Sequence, residues 1–211
     1  MLEIVTPAVD TKLTTRDIVK EELGITGTSE DQLIDRLIDQ ASDFIVSFTG
    51  RWFVKETVKE TIPAYGFHYL RLTRTPVVSL TSVKFSGYNI DPSSVLIYDA
   101  KAGILYKKDG PFTSTQYLVH DVETRLAGYG NPLWEFVYTA GYDPPSVASP
   151  SDPMPMDIVR ACTDIVKWYY RSKRTDPSVV KRTLGEASET RMQFSVPPTI
   201  TLMLEQWRRM A

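Results

Sequence analysis

The sequence predicts an α+β fold: a helical bundle core built from the N- and C-terminal helices, with a small antiparallel β domain inserted between them. Three observations carry this. Apolar residues recur at three-to-four spacing over residues 15–49 and again from residue 156 onward. Between them, from Arg51 to about Pro150, helical spacing gives way to short β-prone runs parted by turn residues. Residues 142–155 (YDPPSVASPSDPMP) hold five prolines and almost no periodicity, and read as an irregular linker back to helix. The expected division is 1–50 and 156–211 for the helical core and 51–155 for the inserted domain with its proline-rich return.

The helices come first. Thr14 or Thr15 can cap a short helix that runs to Leu23 and stops at Gly24. Ser29 stands three residues before Gln32, a capping-box spacing that predicts the start of a longer helix. Along it Leu33, Leu37, Ala41, Phe44 and Phe48 mark one face, Ile34, Ile38 and Ile45 flank it, and Gly50 ends it. A third helix is predicted from about Met156 to Lys173 on Ile158, Cys162, Ile165 and Tyr169. Pro197-Pro198 opens a last one, Thr199 to Met210, with Ile200, Met203, Leu204 and Trp207 on one face. Candidate strands are 53–62, 68–73, 79–86, 95–98, 104–106, 117–119 and 134–138, separated by Pro76, Gly87, Asp91-Pro92, Gly103, Asp109-Gly110 and Asn131-Pro132. Residues 177–196 are polar and show no clear pattern.

Composition narrows the function. With 211 residues, 42% hydrophobic and 24% charged, the chain is not wholesale disordered. A net charge of −2 disfavours a basic coat on duplex nucleic acid. One cysteine, Cys162, excludes an internal disulfide framework, and with two histidines it leaves no structural zinc set. No signal-like leader and no apolar run long enough to span a bilayer is visible, so a soluble protein in a reducing compartment is expected.

A search for chemistry finds no phosphate-binding glycine loop and no nucleophile elbow. The Ser178–Lys181 spacing lacks its companion motifs, and His68 and His120 stand alone. Cys162 falls on an apolar helical stripe, where a small buried hydrophobe is expected. The sequence therefore predicts no catalytic residue, no metal site and no cofactor.

Charge is the more informative feature. Residues 1–155 carry 14 basic and 20 acidic groups, residues 156–211 carry 10 and 6. Arg171, Lys173, Arg174, Lys181 and Arg182, with only Asp176 among them, form a basic stretch able to face phosphates or an acidic protein surface. Asp31, Asp35, Asp39 and Asp43 repeat every four residues on one helical face. That face repels itself unless something basic lies opposite, within the subunit or on a neighbouring copy.

In sequence order these features resemble the head–tail connector, or adaptor, proteins of tailed bacteriophages, in the longer subgroup shared with gene transfer agents. LTTRDIVKEELGI, the acidic helix DQLIDRLIDQASDFIVSFTGRWF, YLRLTRTPVVSLTSVKF, DPSSVLIYDAKAGILY, WEFVYTAGYDPP and PMDIVRACTDIVKWYYRSKR each look like a family segment, over about residues 13–175. The chain departs at 121–131, which is longer than the family pattern, and at 186–211, which does not align.

The resemblance implies a structural, non-enzymatic protein of the virion neck, made in the bacterial host cytoplasm and involved in no membrane. It implies a homododecameric ring that docks on the portal, extends the DNA channel and offers a platform to a stopper or tail-completion protein. Double-stranded DNA would pass through the lumen without sequence readout. The residues then expected to face DNA or an acidic partner are Arg171, Lys173, Arg174, Lys181 and Arg182. Those expected to dock on the portal are Phe194, Ile200, Leu204, Trp207 and Arg208. Asp31, Asp35, Asp39 and Asp43 become an inter-subunit acidic face. The competing reading is a carbohydrate- or protein-binding β module on a helical base, which an exposed aromatic face including Tyr65, Phe67, Tyr69 and Tyr88 would favour.

Overall fold

A computed structural model describes residues 1–63, 66–112, 133–172 and 196–209, together with the backbone of 181–184 and 187–190. The fold is α+β, and the chain divides into two units, Met1–Val9 with Trp52–Tyr142 and Asp10–Arg51 with Asp143–Ala211.

The first unit is a two-sheet sandwich. Its strands are β1 (Leu2–Thr6), β2 (Glu56–Pro63), β3 (Tyr69–Arg71), β4 (Val77–Phe85), β5 (Tyr88–Ile90), β6 (Val95–Asp99), β7 (Ile104–Lys107) and β8 (Leu133–Ala140). One sheet has the order β1-β2-β8-β4-β5, the other β3-β7-β6, and every pairing is antiparallel. Alternation along β8 sends Trp134, Phe136, Tyr138 and Ala140 inward, where they pack with Val58, Val83, Phe85, Leu70, Leu105 and Phe112. Gly141 ends β8 at φ 110, and a Cβ there would lie 2.5 Å from the Val54 carbonyl oxygen, so only glycine fits.

Two strands escape the sequence reading. β1 pairs with β2, although residues 1–9 are expected with the helices. Its side chains are mostly exposed and its register shifts between Ile4 and Thr6, so no period of two survives in the sequence. β5 is three residues long, too short to show a pattern. The expected strand 117–119 lies outside the described residues. At the other boundary, Asp143 onward falls in the second unit, where the Asp143 carboxylate accepts the Ser151 and Asp152 N–H groups at 2.9 Å each and gives the proline-rich return a defined course.

The second unit is helical. α1 (Arg16–Leu23) is capped by Thr15, whose hydroxyl accepts the Ile18 N–H at 3.4 Å, and ends at Gly24 with φ 66. α2 (Asp31–Thr49) ends at Gly50, whose N–H reaches the Val46 carbonyl at 2.9 Å. Ser29 does not cap α2. Glu30 holds that position without a side-chain cap, its carboxylate accepting the Tyr170 hydroxyl at 2.6 Å, while Lys20 bonds the Gly27 carbonyl and Asp31. α3 (Met156–Ser172) and α4 (Pro198–Glu205) complete the bundle. α4 is shorter than expected, because the Trp207 and Arg208 N–H groups turn back to Leu204 and Glu205 and the Arg209 N–H bonds the Thr49 carbonyl at 2.8 Å. That last bond satisfies an otherwise unpaired carbonyl at the end of α2. The core gathers Val19, Ile34, Ile38, Ala41, Ile45, Ile158, Cys162, Ile165, Val166, Ile200 and Leu204. A backbone hairpin, β9 (Lys181–Leu184) with β10 (Ala187–Thr190), lies in the stretch expected to be patternless.

Candidate functional site

The outer surfaces of the two sheets differ sharply. On the five-stranded sheet the Thr57 and Thr139 hydroxyls are 3.1 Å apart, and Lys59 sits 3.5 Å from both Glu3 and Glu135. Glu135, and then Glu3, raise the Lys59 pKa, and Lys84 adds a second contact to Glu135 at 3.6 Å. This is the solvated face expected of an antiparallel sheet.

The three-stranded sheet instead places Tyr69, Tyr106 and Leu96 side by side in register across β3, β7 and β6. Tyr69 packs against Tyr98 and Tyr106, with both ring centroids 5.3 Å away, and His68 stacks on Tyr106. Tyr69 is 51% exposed, Tyr98 65%, Leu96 43% and the neighbouring Phe67 67%. Arg71 and Lys101 are exposed at this sheet and make no ion pair among the described residues. Of the aromatic residues singled out from sequence, Phe67 and Tyr69 lie at this sheet, Tyr88 belongs to the other sheet, and Tyr65 lies outside the described residues. Tyr98 and Tyr106 take their place. Sequence reasoning missed them because a face spanning three strands requires the register.

Beneath the sheets lies a buried polar cluster. The Glu60 carboxylate accepts the Tyr138 hydroxyl at 2.6 Å, the Thr73 N–H at 2.9 Å and the Thr73 hydroxyl. Burial, with Glu60 next to it, pushes the Tyr138 phenol far above its ordinary pKa. One turn of the pleat away, Glu56 is 3% exposed and lies 3.1 Å from Arg74, an ion contact without hydrogen-bond alignment. Burial raises the Glu56 carboxyl pKa, against the lowering effect of Arg74. The Arg74 guanidinium also covers the Trp52 ring at 5.4 Å. The cluster fastens the β3–β4 connection onto β2 and β8.

The sequence-predicted sites are placed as follows. Arg171 is exposed in the last turn of α3. Lys181 and Arg182 lie in β9, in register with Thr190 and Glu189. Lys173, Arg174 and Phe194 lie outside the described residues. Ile200 and Leu204, expected to dock on the portal, are 6% and 0% exposed and fill this unit's own core against α2 and α3. A helical stripe shows that a face is buried, not what buries it. Arg208 covers the Phe48 ring at 5.7 Å, and Trp207 is half-buried. The open side of α4 is Leu202, 71% exposed.

The acidic stripe of α2 is likewise partly used within the unit. Arg16 bonds Asp31 at 3.1 Å and also Asp35, Lys20 bonds Asp31 at 2.8 Å, and Lys12 reaches Asp35 at 3.5 Å and Asp39 at 4.0 Å. Its partnership with Arg16 lowers the Asp35 pKa. Only Asp43 of the four has no basic partner among the described residues. Cys162 is buried beside the Ser42 hydroxyl, and burial raises its thiol pKa to about 12, the environment of a small core residue. Among the described residues no three His, Cys, Asp or Glu side chains gather as a metal set, and no helix is long and apolar enough to cross a membrane.

Residues 15–69, from the first turn of α1 through α2 and β2 to β3, match the model of the phage gp6-like head-tail connector protein family. This is the family whose resemblance the sequence segments carry. No curated protein matches the chain. Among solved structures, a chain from the neck of an empty gene transfer agent particle, computed with C6 symmetry, matches with a TM-score of 0.61 at 17% identity. The match covers 100% of this chain and 96% of that one. A chain from the neck of the native particle, computed with C12 symmetry, gives 0.59 at 16% identity, with the same coverage. A chain from the virion of the native particle gives 0.58 at 17% identity, again covering 100% and 96%. The likeness in fold thus extends over both units of the chain.

Proposed function

We propose that the protein is a structural component of a virion neck: a ring of identical copies, twelve in the favoured reading, docked on the portal of a tailed-phage-like particle. It extends the DNA channel and carries the stopper or tail-completion protein. The observation that supports this most is the whole-chain likeness to neck chains combined with a connector-family match over α1, α2 and β2. In this reading the chain does no catalysis. It is made in the bacterial host cytoplasm and ends in the virion, and DNA passes the lumen without base readout.

Two surfaces are assigned within that reading. Arg171, Lys173, Arg174, Lys181 and Arg182 supply positive charge toward the lumen or an acidic partner. Portal docking falls to the exposed side of α4 at Leu202, with Trp207 and Arg208 beside it, because Ile200 and Leu204 are already committed to the core. Deleting α4 would open that core, so the sharper test is Leu202→Glu. It is expected to abolish comigration with the portal protein of the same particle while leaving the melting temperature unchanged. Normal comigration would refute this docking surface.

A further inference from the structure

The aromatic face of β3-β7-β6 is the largest feature that neck assembly in general terms does not explain. Tyr69, Tyr106 and Leu96 are held in register, Tyr98 joins them through the Tyr69 ring at the β6 irregularity, and Tyr69, Tyr98 and Leu96 are open to solvent, with Arg71 and Lys101 exposed and without an ion pair among the described residues at the margin. Aromatic residues with arginine at the edge make the composition of a protein interface core. Resting on the ring reading above, we propose that this face is the contact between neighbouring copies, and that it seats the acidic α1–α2 surface of the next copy.

The charges choose this occupant. Two copies of the face meeting each other would bring Arg71 and Lys101 against Arg71 and Lys101, which opposes a two-fold pairing. The chain carries its own complement. Residues 10–51 hold 5 basic and 9 acidic groups. Arg16, Lys20 and Lys12 satisfy Asp31 and Asp35, and Lys167 satisfies Glu22 at 2.7 Å. Asp17 and Glu21 on α1 and Asp43 on α2 remain exposed and unpaired among the described residues. One basic-rimmed aromatic patch and one acidic patch on different parts of the same chain form a heterologous pair, the kind of contact that propagates head to tail and closes into a ring. The internal pairs of Asp31 and Asp35 leave the acidic surface smaller, and shifted toward α1 and the C-terminal half of α2, compared with the four-aspartate stripe.

The test is directional crosslinking of the full chain. Ala100→Cys places a thiol beside the aromatic face and Ser47→Cys places one on the exposed side of α2; the buried Cys162 does not compete. In assemblies with the portal protein, a short bismaleimide should turn the doubly substituted chain into a ladder of trimers and larger species. Each singly substituted chain should stay monomeric. A second arm reverses the rim: Arg71→Glu with Lys101→Glu should lower ring yield at least tenfold, and adding Asp17→Lys with Asp43→Lys to the same chain should restore it. Rings without a ladder, rings unaffected by rim reversal, or no rescue would each overturn this contact while the ring reading stands. The first two of those outcomes would leave the aromatic face to another ligand, a saccharide included. If the unsubstituted chain forms no ring with the portal protein, the ring reading itself fails and this contact with it.

Discussion

Asp31 and Asp35 in the helical unit lie partly buried, with side chains 18% and 26% exposed, among Arg16, Lys20 and Lys12, whereas Glu56 and Glu60 in the β unit are 3% and 5% exposed and held by Arg74, Tyr138 and Thr73. Both pairs are carboxylates four residues apart, one on a helix and the other on alternate inward positions of a strand. The helical pair gains little from its cations, because water reaches the exposed Arg16 guanidinium and long side chains must be ordered. In the buried pair, Glu60 has exchanged water for fixed donors and Glu56 for a close cation, and losing one partner strands the other. The helical unit therefore holds charge that orients α1 on α2 at small energetic consequence. The β unit holds charge on which its architecture depends.

The largest expected effect is at Glu60. Glu60→Ala removes the acceptor of three hydrogen bonds and should cost about 4 kcal/mol in urea unfolding, while Tyr138→Phe, which removes one, should cost about 1.5 kcal/mol. Equal and small costs would erase the contrast between the units. Next comes Leu204→Ala, a cavity in the helical core, expected to cost about 3 kcal/mol. A neutral result would return this side chain to a docking role. Smallest is Asp35→Asn, for which a loss below about 1 kcal/mol is expected at neutral pH and moderate salt.

Acid separates the units by sign. Burial raises Glu56 above its ordinary 4.5, so its folded form takes up a proton before its unfolded form does. The penalty for burying its charge is relieved as pH falls through the raised value, and the relief is complete below 4.5. Asp35 is lowered from 3.8 by Arg16, so its contribution is present above 3.8 and is lost as pH falls through the depressed value. Hydrogen exchange at α2 and β8 amides between neutral pH and 3 should show β8 protection holding or rising as pH falls toward 4.5 and α2 protection declining only below 3.8. A common decline starting above pH 5 would contradict the assignment.

What could be read from sequence follows the same division. α2 was legible because Leu33, Leu37, Ala41, Phe44 and Phe48, flanked by Ile34, Ile38 and Ile45, repeat at helical spacing and Gly50 ends the run at φ 64, although the buried face centres on the flanking row. β8 was legible because Trp134, Phe136 and Tyr138 alternate. β1 was not, since an edge strand exposed on nearly every residue has no inward set to reveal it. The amphipathic stripe of α4 was visible, but Ile200 and Leu204 could not announce that α2 and α3 already cover them. The regular spacing of Asp31, Asp35 and Asp39 was plain, yet Arg16, Lys20 and Lys12 reach them only after α1 folds back along α2. The aromatic face was least legible, because Tyr69, Tyr98 and Tyr106 come from three strands, the register joins only Tyr69 and Tyr106, and Tyr98 meets them through a ring contact.

The central claim, a ring protein of the neck, is tested most directly by electron microscopy of the full chain mixed with the portal protein of its own particle. The account predicts a closed ring of copies seated on the portal, coaxial with its channel. Monomers scattered beside bare portals, at concentrations where the portal itself is intact, would contradict it.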